Sequence, residues 1–399
     1  MWHDIEAAPA DSILGLTDAY KNDPNPNKVN LGVGVYKDED GKTPVLDVVK
    51  AAEKILFERE SSKSYLPISG DPVYARVVQE LLFDKSSEVI AANRAVTCHA
   101  PGGTGALRVG GDLLKKFHPE ARVWISSPTW ANHRGVFATA GFPLAEYGYY
   151  DDVSKSLDFE AMKVSLTGIP AGDIVLLHAC CHNPSGVDLN EAQWREVAEI
   201  GKEKGWIPFL DFAYQGFGGG VTEDRCAVLE FVATGIDFLV ASSFSKNFGL
   251  YNERTGALTI ICPNSDDAAT AMSHLKATIR VIYSNPPAHG GLVVATVLSD
   301  HDLTRQWLHE LNTMRERIKD MRAALVSGLA QRGVVGDFSY ITRQRGMFSF
   351  SGLSDEVVKW LRLNKSIYVV AGGRINLAGL TSTNIDYVCD SIAEILPGK

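Results

Sequence analysis

The chain has 399 residues, of which 45% are hydrophobic and 22% are charged, and its formal net charge is −9. This is ordinary globular composition, and the length predicts two to three domains. The acidic balance disfavours binding to bulk DNA or RNA, which usually requires a basic surplus, although a few arginines could still hold a small anion.

The cysteines and the apolar runs exclude further classes. The start of the sequence has no basic segment followed by an apolar run, so no signal peptide is expected. No apolar run approaches the roughly 20 residues of a membrane span. The cysteine spacing forms no disulfide framework, so we expect a cytoplasmic protein with reduced thiols. The cysteines are Cys98, Cys180, Cys181, Cys226, Cys262 and Cys389.

Two features mark the first part of the chain. Residues 21–28, KNDPNPNK, predict an irregular connector because they combine proline with asparagine. The segment 101–108, PGGTGALR, leads into a predicted helix with apolar positions at Leu107, Leu114 and Phe117. Glycines at a helix N-terminus expose backbone N–H groups, which favours an anion there.

Short apolar runs then alternate with helical segments. Residues 190–205 show helical periodicity and end in glycine. Pro208 is unusual for a central strand, but it is acceptable among the first residues of one. The alternation predicts an α/β fold in which helices connect parallel strands. The predicted strands are RVWIS (122–126), DIVLLHA (173–179), WIPFLDF (206–212) and DFLVASS (237–243).

The pattern changes after residue 300. Residues 303–333 predict one long helix, which we expect to connect two domains. The tail has α+β character, with short strands predicted at 347–350 (MFSF) and 374–379 (RINLAG). The predicted domain organisation is an N-terminal arm at 1–12, a small domain formed by 13–43 and 314–399, and a large domain at 44–313.

Polar side chains follow three predicted strands where each strand ends. Asn183 follows the strand at 173–179. Asp211 and Tyr214 stand at the end of the strand at 206–212, and Ser245 and Lys246 follow the strand at 237–243. In a parallel α/β sheet, ligands bind beyond these carboxyl ends. A lysine beside a buried strand is costly unless its amine is used. We therefore expect an amide, a carboxylate, a phenol and an amine to meet at one edge of the sheet.

This set of groups suggests one cofactor. Ser243, Ser245 and Arg254 could bind a phosphate together with the glycine-rich helix start. Pyridoxal phosphate requires such a phosphate site, a Schiff-base lysine and an acid beside its pyridinium nitrogen. Lys246 and Asp211 are the residues of the required types.

Several stretches in order resemble the signature stretches of the class I aminotransferases, in particular the aspartate/aromatic subgroup, over nearly the whole chain. The resemblance implies a fold type I transferase, with a mostly parallel seven-stranded sheet in the large domain and a smaller α+β domain. It also implies pyridoxal 5'-phosphate as cofactor, and a homodimer with active sites at the subunit interface. The stretches are SFSKNFGLYNERTG, HNPSGVD, DFAYQGF, PGGTGALR, SNPPAHGG and GGRINLAG.

The resemblance also implies roles for residues around the cofactor ring. Lys246 would hold the cofactor and then act as base and acid in the proton transfer. Asp211 would keep the pyridine nitrogen protonated, with His133 behind it. Asn183 and Tyr214 would bind the phenolic oxygen. The ring would stack on Trp130, and the phosphate would be held by Gly103, Thr104, Ser243, Ser245, Arg254 and Tyr65 of the partner subunit.

For the substrate, the resemblance implies that Arg374 binds the α-carboxylate through a bidentate fork, beside Gly34. Trp130 and Asn183 would also contact the substrate. Arg280 of the partner subunit would bind a side-chain carboxylate. The implied reaction moves the amino group of L-aspartate to 2-oxoglutarate by a ping-pong route, giving oxaloacetate and L-glutamate.

An aromatic or dual specificity stays open. The aspartate-type pattern is carried by Val35, Lys37, Thr43, Thr104 and Asn285, whereas Ser64 and Ser185 depart from it. Pocket contacts decide such preferences.

Four other interpretations are less favoured. Ser243 to Lys246 matches an S-x-x-K acylating motif, but no K-T-G follows. Gly103 and Gly105 lack the third glycine of a dinucleotide fingerprint. A zinc site at His178, Cys180, Cys181 and His182 is disfavoured because neighbours on a strand point to opposite faces, so no metal is expected. A non-catalytic binding module is disfavoured because the lysine, the aspartate and the carboxylate-binding arginine are all present.

Overall fold

A computed structural model describes residues 2, 3, 5, 6 and 14–396. Most of the predicted N-terminal arm, residues 1–12, lies outside the described residues. The α-helices are α1 (Leu14–Asn22), α2 (Asp47–Arg59), α3 (Pro72–Phe83), α4 (Glu88–Ala91), α5 (Gly102–Phe117), α6 (Asn132–Thr139), α7 (Phe159–Thr167), α8 (Glu191–Lys204), α9 (Cys226–Thr234), α10 (Ser265–Ile282), α11 (Ala288–Ser299), α12 (His301–Gln331), α13 (Tyr340–Arg343), α14 (Asp355–Lys365) and α15 (Ile385–Ile395).

The strands are short and most of them join one sheet. They are β1 (Val29–Asn30), β2 (Ala95–Pro101), β3 (Val123–Ser127), β4 (Leu144–Gly148), β5 (Tyr150–Asp151), β6 (Ser156–Leu157), β7 (Ile174–His178), β8 (Ile207–Phe212), β9 (Phe238–Ser243), β10 (Thr255–Ile261), β11 (Phe348–Phe350), β12 (Ile367–Tyr368) and β13 (Arg374–Asn376).

The central sheet has seven strands in the order β2-β10-β9-β8-β7-β3-β4. The run from β9 to β4 is parallel, and β10 is antiparallel to both of its neighbours. This confirms the predicted α/β fold with a mostly parallel sheet. The four strands predicted from apolar runs are all present in it, and none of their ends differs from the expected one by more than one residue.

The parallel strands are buried on both faces, which explains their continuous apolar sequence. Every residue of β7 and β9 is buried. Pro208 is the second residue of β8, where it pairs with Val175 of β7. This position agrees with the expectation that a proline is tolerated at the start of a strand.

Helix α8 shows how local sequence sets the helix ends. The side chain of Asn190 accepts a bond from the N–H of Gln193, whose side chain accepts from the N–H of Asn190. This reciprocal capping box satisfies two N–H groups at the helix start. The helix ends at Gly205, whose φ of 72° lies in the left-handed region that glycine tolerates.

The chain separates into two compact units, Pro44–Glu316 and a second formed by Met1–Thr43 with Arg317–Lys399. The first contains the seven-stranded sheet. The second contains the parallel pair β1–β12 and the antiparallel pair β11–β13. The predicted long helix is present as α12, and the boundary between the units falls inside it. Whether these units are the predicted domains, 44–313 and 13–43 with 314–399, stays a prediction.

The predicted tail strand at 374–379 is shorter than expected. Only Arg374–Asn376 is extended, and Leu377–Gly379 forms a 3-10 turn in which the Asn376 side chain accepts from the N–H of Ala378. An asparagine that binds the backbone two residues ahead ends a strand in this way. None of the described helices is long and apolar enough to cross a membrane.

Candidate active site

The carboxyl ends of β8 and β9 bring together three of the four polar groups predicted from the sequence. Asn183, Asp211, Tyr214 and Lys246 all belong to the larger unit. The Nζ atom of Lys246 lies 4.5 Å from the centre of the Tyr214 ring, and the charge of Asp211 acts on the same amine. The expected meeting of an amine, a phenol and a carboxylate at one edge of the sheet is therefore present.

The Lys246 amine is perturbed by its surroundings. Burial lowers its pKa from 10.5 to about 8; the carboxylate of Asp211 opposes this shift, and the nearby Arg254 guanidinium adds to it. Desolvation disfavours the charged ammonium form. An amine with this pKa is partly unprotonated near neutral pH, which is the form that attacks a carbonyl carbon.

Asp211 is held as an anion inside the sheet. Burial alone would raise its pKa, but the hydrogen bond and charge of His133, with smaller contributions from His178 and Lys246, lower the pKa below its usual value. The Nε2 atom of His133 lies 2.8 Å from Oδ2 of Asp211. Because an ionised carboxylate only accepts, His133 donates this bond.

A chain of hydrogen bonds continues behind His133. The Thr129 hydroxyl lies 2.8 Å from Nδ1 of His133 and 3.0 Å from Nε2 of His178. Burial lowers the pKa of His178 to about 3, with the charge of His133 adding to the shift, so the His178 ring is neutral near pH 7. The ring of His182 packs against His178. Sequence reasoning missed Thr129, and no pattern in the sequence marks it.

The four residues considered as zinc ligands, His178, Cys180, Cys181 and His182, lie in two separate groups. His182 binds the hydroxyls of Ser126 and Ser185, at 2.9 and 2.7 Å. The two cysteines instead lie near Asp224. The expected alternation of neighbouring side chains does not hold for these cysteines, because β7 ends at His178 and the residues after it form a bend.

The start of α5 and the end of β9 form a narrow cradle. A Cβ atom on Gly102 would lie 2.4 Å from Nη2 of Arg254, and one on Gly103 would lie 3.1 Å from Cβ of Ser243. Gly102 has a φ of 72°, so glycine is required there by conformation as well as by space. Thr104 follows in the first turn of the helix.

Arg254 completes this cradle. Its φ is 54°, a left-handed conformation that is uncommon for arginine and costs about 1–3 kcal/mol. Its Nη1 atom lies 3.4 Å from the Ser245 hydroxyl and donates to the Tyr251 carbonyl at 3.0 Å. The free N–H groups at the start of a helix, beside a guanidinium and two serine hydroxyls, are a donor set suited to a phosphate.

Three predicted residues lie at less enclosed positions of the larger unit. Trp130 is half-buried and packs edge-on against the His133 ring, with centroids 5.2 Å apart. Tyr65 is 91% exposed. Arg280 is exposed and donates to the hydroxyl of Ser284. The sequence assigned Tyr65 and Arg280 to the partner's active site, and this assignment stays a prediction.

Arg374 and Gly34 belong to the smaller unit. The guanidinium of Arg374 is buried, donates to the Gly32 carbonyl at 2.6 Å and lies 4.4 Å from the centre of the Phe348 ring. A Cβ atom on Gly34 would lie 3.0 Å from the same ring. The backbone of residues 32–34 and Phe348 therefore fix the orientation of this arginine.

The larger unit thus fits a phosphorylated aldehyde cofactor. A buried amine of lowered pKa can take the aldehyde, the cradle offers phosphate donors, and a buried anion can face a protonated ring nitrogen. These features define an α/β enzyme of fold type I.

Comparison with known proteins agrees with this class. The family described as "Aminotransferase class I and II" matches residues 26–392. The aspartate aminotransferase of Salmonella typhi is 52% identical over 396 residues, 99% of this chain and 100% of that protein. The aromatic-amino-acid aminotransferase of Pseudomonas aeruginosa is 44% identical over 391 residues, 98% of this chain.

A solved structure extends the comparison to three dimensions. The aromatic-amino-acid aminotransferase from Burkholderia pseudomallei, covalently bound to pyridoxal phosphate, is 50% identical, covers 99% of both chains and gives a TM-score of 0.97. The chain belongs to the class I and II aminotransferases.

Proposed function

We propose that this aminotransferase uses pyridoxal 5'-phosphate to move the amino group of L-aspartate to 2-oxoglutarate, giving oxaloacetate and L-glutamate in two half-reactions. The observation that carries the proposal is the buried Lys246 amine, whose pKa is lowered to about 8, beside the Asp211–His133 pair. Aspartate as the donor is supported by the relative at 52% identity and by the presence of Arg280.

When bound, the cofactor supplies an aldehyde carbon that accepts the amino group and a ring that withdraws electrons. The amine of Lys246 would bind that aldehyde and afterwards carry a proton on Nζ between two carbon atoms of the substrate and cofactor. The Asp211 carboxylate, kept ionised by His133, would hold a proton on the ring nitrogen. Thr129 and His178 would keep the His133 ring oriented.

The remaining residues of the larger unit would position the cofactor. Asn183 and Tyr214 would donate to the phenolic oxygen, and Trp130 would pack on the ring face. Gly103, Thr104, Ser243, Ser245 and Arg254 would hold the phosphate, with Tyr65 of the partner subunit. The short approach of Gly103 to Ser243 and of Gly102 to Arg254 supports this assignment.

Substrate carboxylates would be bound by arginines. Arg374, already oriented by the Gly32 carbonyl and the Phe348 ring, would take the α-carboxylate next to Gly34, while Trp130 and Asn183 contact the rest of the substrate. Arg280 of the partner subunit would take the second carboxylate of aspartate, glutamate or their oxo acids. A planar guanidinium suits a carboxylate because it donates two parallel bonds.

We propose a cytoplasmic homodimer. Phe57, Tyr65 and Val281, all in the larger unit, are 87%, 91% and 84% exposed, and a partner subunit could cover such side chains. None of the six cysteines, all of them within the described part of the chain, forms a disulfide, which suits a reducing compartment. Light scattering on the purified protein should give twice the chain mass of 43.4 kDa; a monomer at micromolar concentration would contradict the proposed sharing of Tyr65 and Arg280.

The activity is tested by one half-reaction. The purified holoenzyme is given L-aspartate or L-phenylalanine without any oxo acid, and the change in the visible absorbance of the cofactor is followed. We expect aspartate to convert the cofactor at a much lower concentration. Equal conversion by both amino acids would indicate an aromatic or dual specificity, which the aromatic relatives make the second candidate. Absence of a cofactor chromophore after addition of pyridoxal phosphate would refute the assignment.

The second carboxylate is tested with Arg280→Ala. The variant should lose aspartate turnover by about 100-fold or more, since a charged hydrogen-bonded pair is lost, and should lose phenylalanine turnover far less. Arg305→Ala, which removes another exposed arginine paired with Asp302, is the control and should behave as the unmodified enzyme. Equal losses for the two substrates would show that Arg280 does not bind the side-chain carboxylate.

A further inference from the structure

A buried cluster of metal-binding atoms lies next to the candidate active site. The Sγ atoms of Cys180 and Cys181 and a carboxylate oxygen of Asp224 lie within 4.8 Å of one another. All three residues are buried, with at most 6% of each exposed. None of them belongs to the residues assigned to the aminotransferase reaction, so the cluster needs its own explanation.

The backbone explains why two neighbouring thiols reach the same place. Strand β7 ends at His178, and Cys181 has a φ of 51°, which breaks the alternation of an extended chain. The carboxylate of Asp188 fixes this turn by accepting the N–H groups of Cys181 and His182, at 2.7 and 2.8 Å. The loop therefore holds both thiols facing Asp224.

The orientation of Asp224 is fixed by the glycine-rich loop at residues 216–219, which precedes it in the chain. Its Oδ2 atom accepts N–H groups from Gly216 and Gly218, at 2.8 and 2.9 Å, and its Oδ1 atom accepts the N–H of Gly219 at 2.7 Å. The backbone N–H of Gly220 also acts on this carboxylate, so Asp224 is held by main-chain donors alone. Among the described residues, no lysine or arginine forms an ion pair with Asp224; a buried carboxylate is usually paired with a cation or coordinates a metal.

Burial also governs the charge of the cluster. Burial raises the pKa of the Cys180 thiol well above its usual range, and Cys181, Asp224 and Asp188 add to this rise. Burial also raises the pKa of Asp224. The Cys180 thiol is therefore neutral when no cation is near. A divalent cation would have to displace the thiol protons, and its two charges would then offset two of the three negative charges of two thiolates and a carboxylate.

We propose that Cys180, Cys181 and Asp224 form a binding site for Zn²⁺. Two sulfur ligands and one oxygen suit this borderline-soft ion, and a water molecule would take the fourth tetrahedral position. With zinc–sulfur bonds of about 2.3 Å and zinc–oxygen bonds of about 2.0–2.2 Å, the ligand atoms would stand roughly 3.5–3.8 Å apart. The three ligand atoms, all within 4.8 Å of one another, are already close to that spacing. Binding replaces the two thiol protons, which are released to solvent.

The position of the site gives it a link to the active site. Cys181 lies two residues before Asn183, and Gly216 lies two residues after Tyr214. A zinc ion would therefore connect the loop that carries Asn183 to the loop that follows Tyr214. This inference does not depend on the proposed reaction or on its substrate.

The holoenzyme provides the test. It is incubated with Zn²⁺ in the presence of a phosphine reductant, passed through a desalting column and assayed for retained zinc by atomic absorption; proton release is followed in weak buffer. We expect one zinc ion and about two protons per chain. Cys180→Ala and Cys181→Ala should each weaken binding by at least about tenfold, since loss of even an outer-shell partner of a metal site costs about 10–100-fold.

Two further variants separate this site from others. Asp224→Asn keeps the shape but removes the charge and should also weaken binding. Cys226→Ala removes a half-buried thiol outside the cluster and should bind zinc like the unmodified protein. The proposal is refuted if no stoichiometric zinc is retained, if both cysteine variants keep full affinity, or if Cys226→Ala abolishes binding. The two cysteine variants decide the matter even if Asp224→Asn fails to fold.

Discussion

The titration of the Lys246 amine offers a quantitative test of how burial prepares the site. The pKa of about 8, against an ordinary value of 10.5, is set first by burial. At pH 7 about a tenth of the molecules would then carry the unprotonated amine, compared with about 0.03% for an ordinary lysine. The free amine is thus enriched by about 300-fold. The rate at which it captures an aldehyde at pH 7 should rise with this fraction, because only the unprotonated form reacts.

The assay follows the capture of pyridoxal, which lacks the phosphate, by enzyme freed of cofactor, with borohydride trapping between pH 6 and 11. We expect the rate to level off above about pH 8. Removal of a neighbouring negative charge should lower the pKa further, because the ammonium form loses a favourable interaction. Asp211→Asn should therefore move the inflection to lower pH. An inflection above about pH 10, or an upward movement in Asp211→Asn, would refute the argument.

Two paired substitutions test the packing of each unit by urea unfolding. A methyl group on Gly110 would lie 2.5 Å from the Phe209 ring, so Gly110→Ala should lower the free energy of unfolding by about 1–3 kcal/mol. A methyl group on the neighbouring Gly111 would lie 3.4 Å or more from other atoms, so Gly111→Ala should be neutral or stabilising. Equal effects would contradict this difference. In the smaller unit, the buried guanidinium of Arg322 donates to three carbonyl groups at 2.6–3.0 Å, so Arg322→Met should cost about 2–4 kcal/mol. Arg332 pairs with two exposed carboxylates, so Arg332→Ala should lower the free energy of unfolding by about 1 kcal/mol or less. A loss as large as that of Arg322→Met would contradict this expectation.

The sequence predicts the fold well wherever burial is uniform along an element. Strands such as Ile174–His178 are buried at every position, so an apolar run of strand length defines them almost to the residue. The sequence could place Lys246 close to Asp211 because the ends of parallel strands meet at one edge of the sheet. The same period-two reasoning failed at Cys181, because a single left-handed residue past the strand end turns neighbouring side chains to one side.

Contacts between residues that are far apart in the chain leave no local pattern in the sequence. Thr129 joins His133 to His178 across 49 residues of sequence, and a threonine in a loop has no pattern that distinguishes this role. Asp224 resembles an ordinary acidic residue at a helix start, yet it is buried and accepts three backbone N–H groups. In both cases the partners are set by how strands and loops are arranged in space, which periodicity does not encode.

One physical cause produces opposite outcomes at neighbouring positions of this sheet edge. Burial disfavours charge, so it moves Lys246 towards its neutral, nucleophilic amine but moves Cys180 towards its neutral, unreactive thiol. Asp211 escapes the same penalty because His133 donates to it, whereas Asp224 has only backbone N–H groups and its pKa is raised. The charge of each buried carboxylate therefore depends on its partner. For Lys246 and Cys180 burial is the main cause, and it makes the amine reactive but keeps the thiol neutral unless a cation binds beside it.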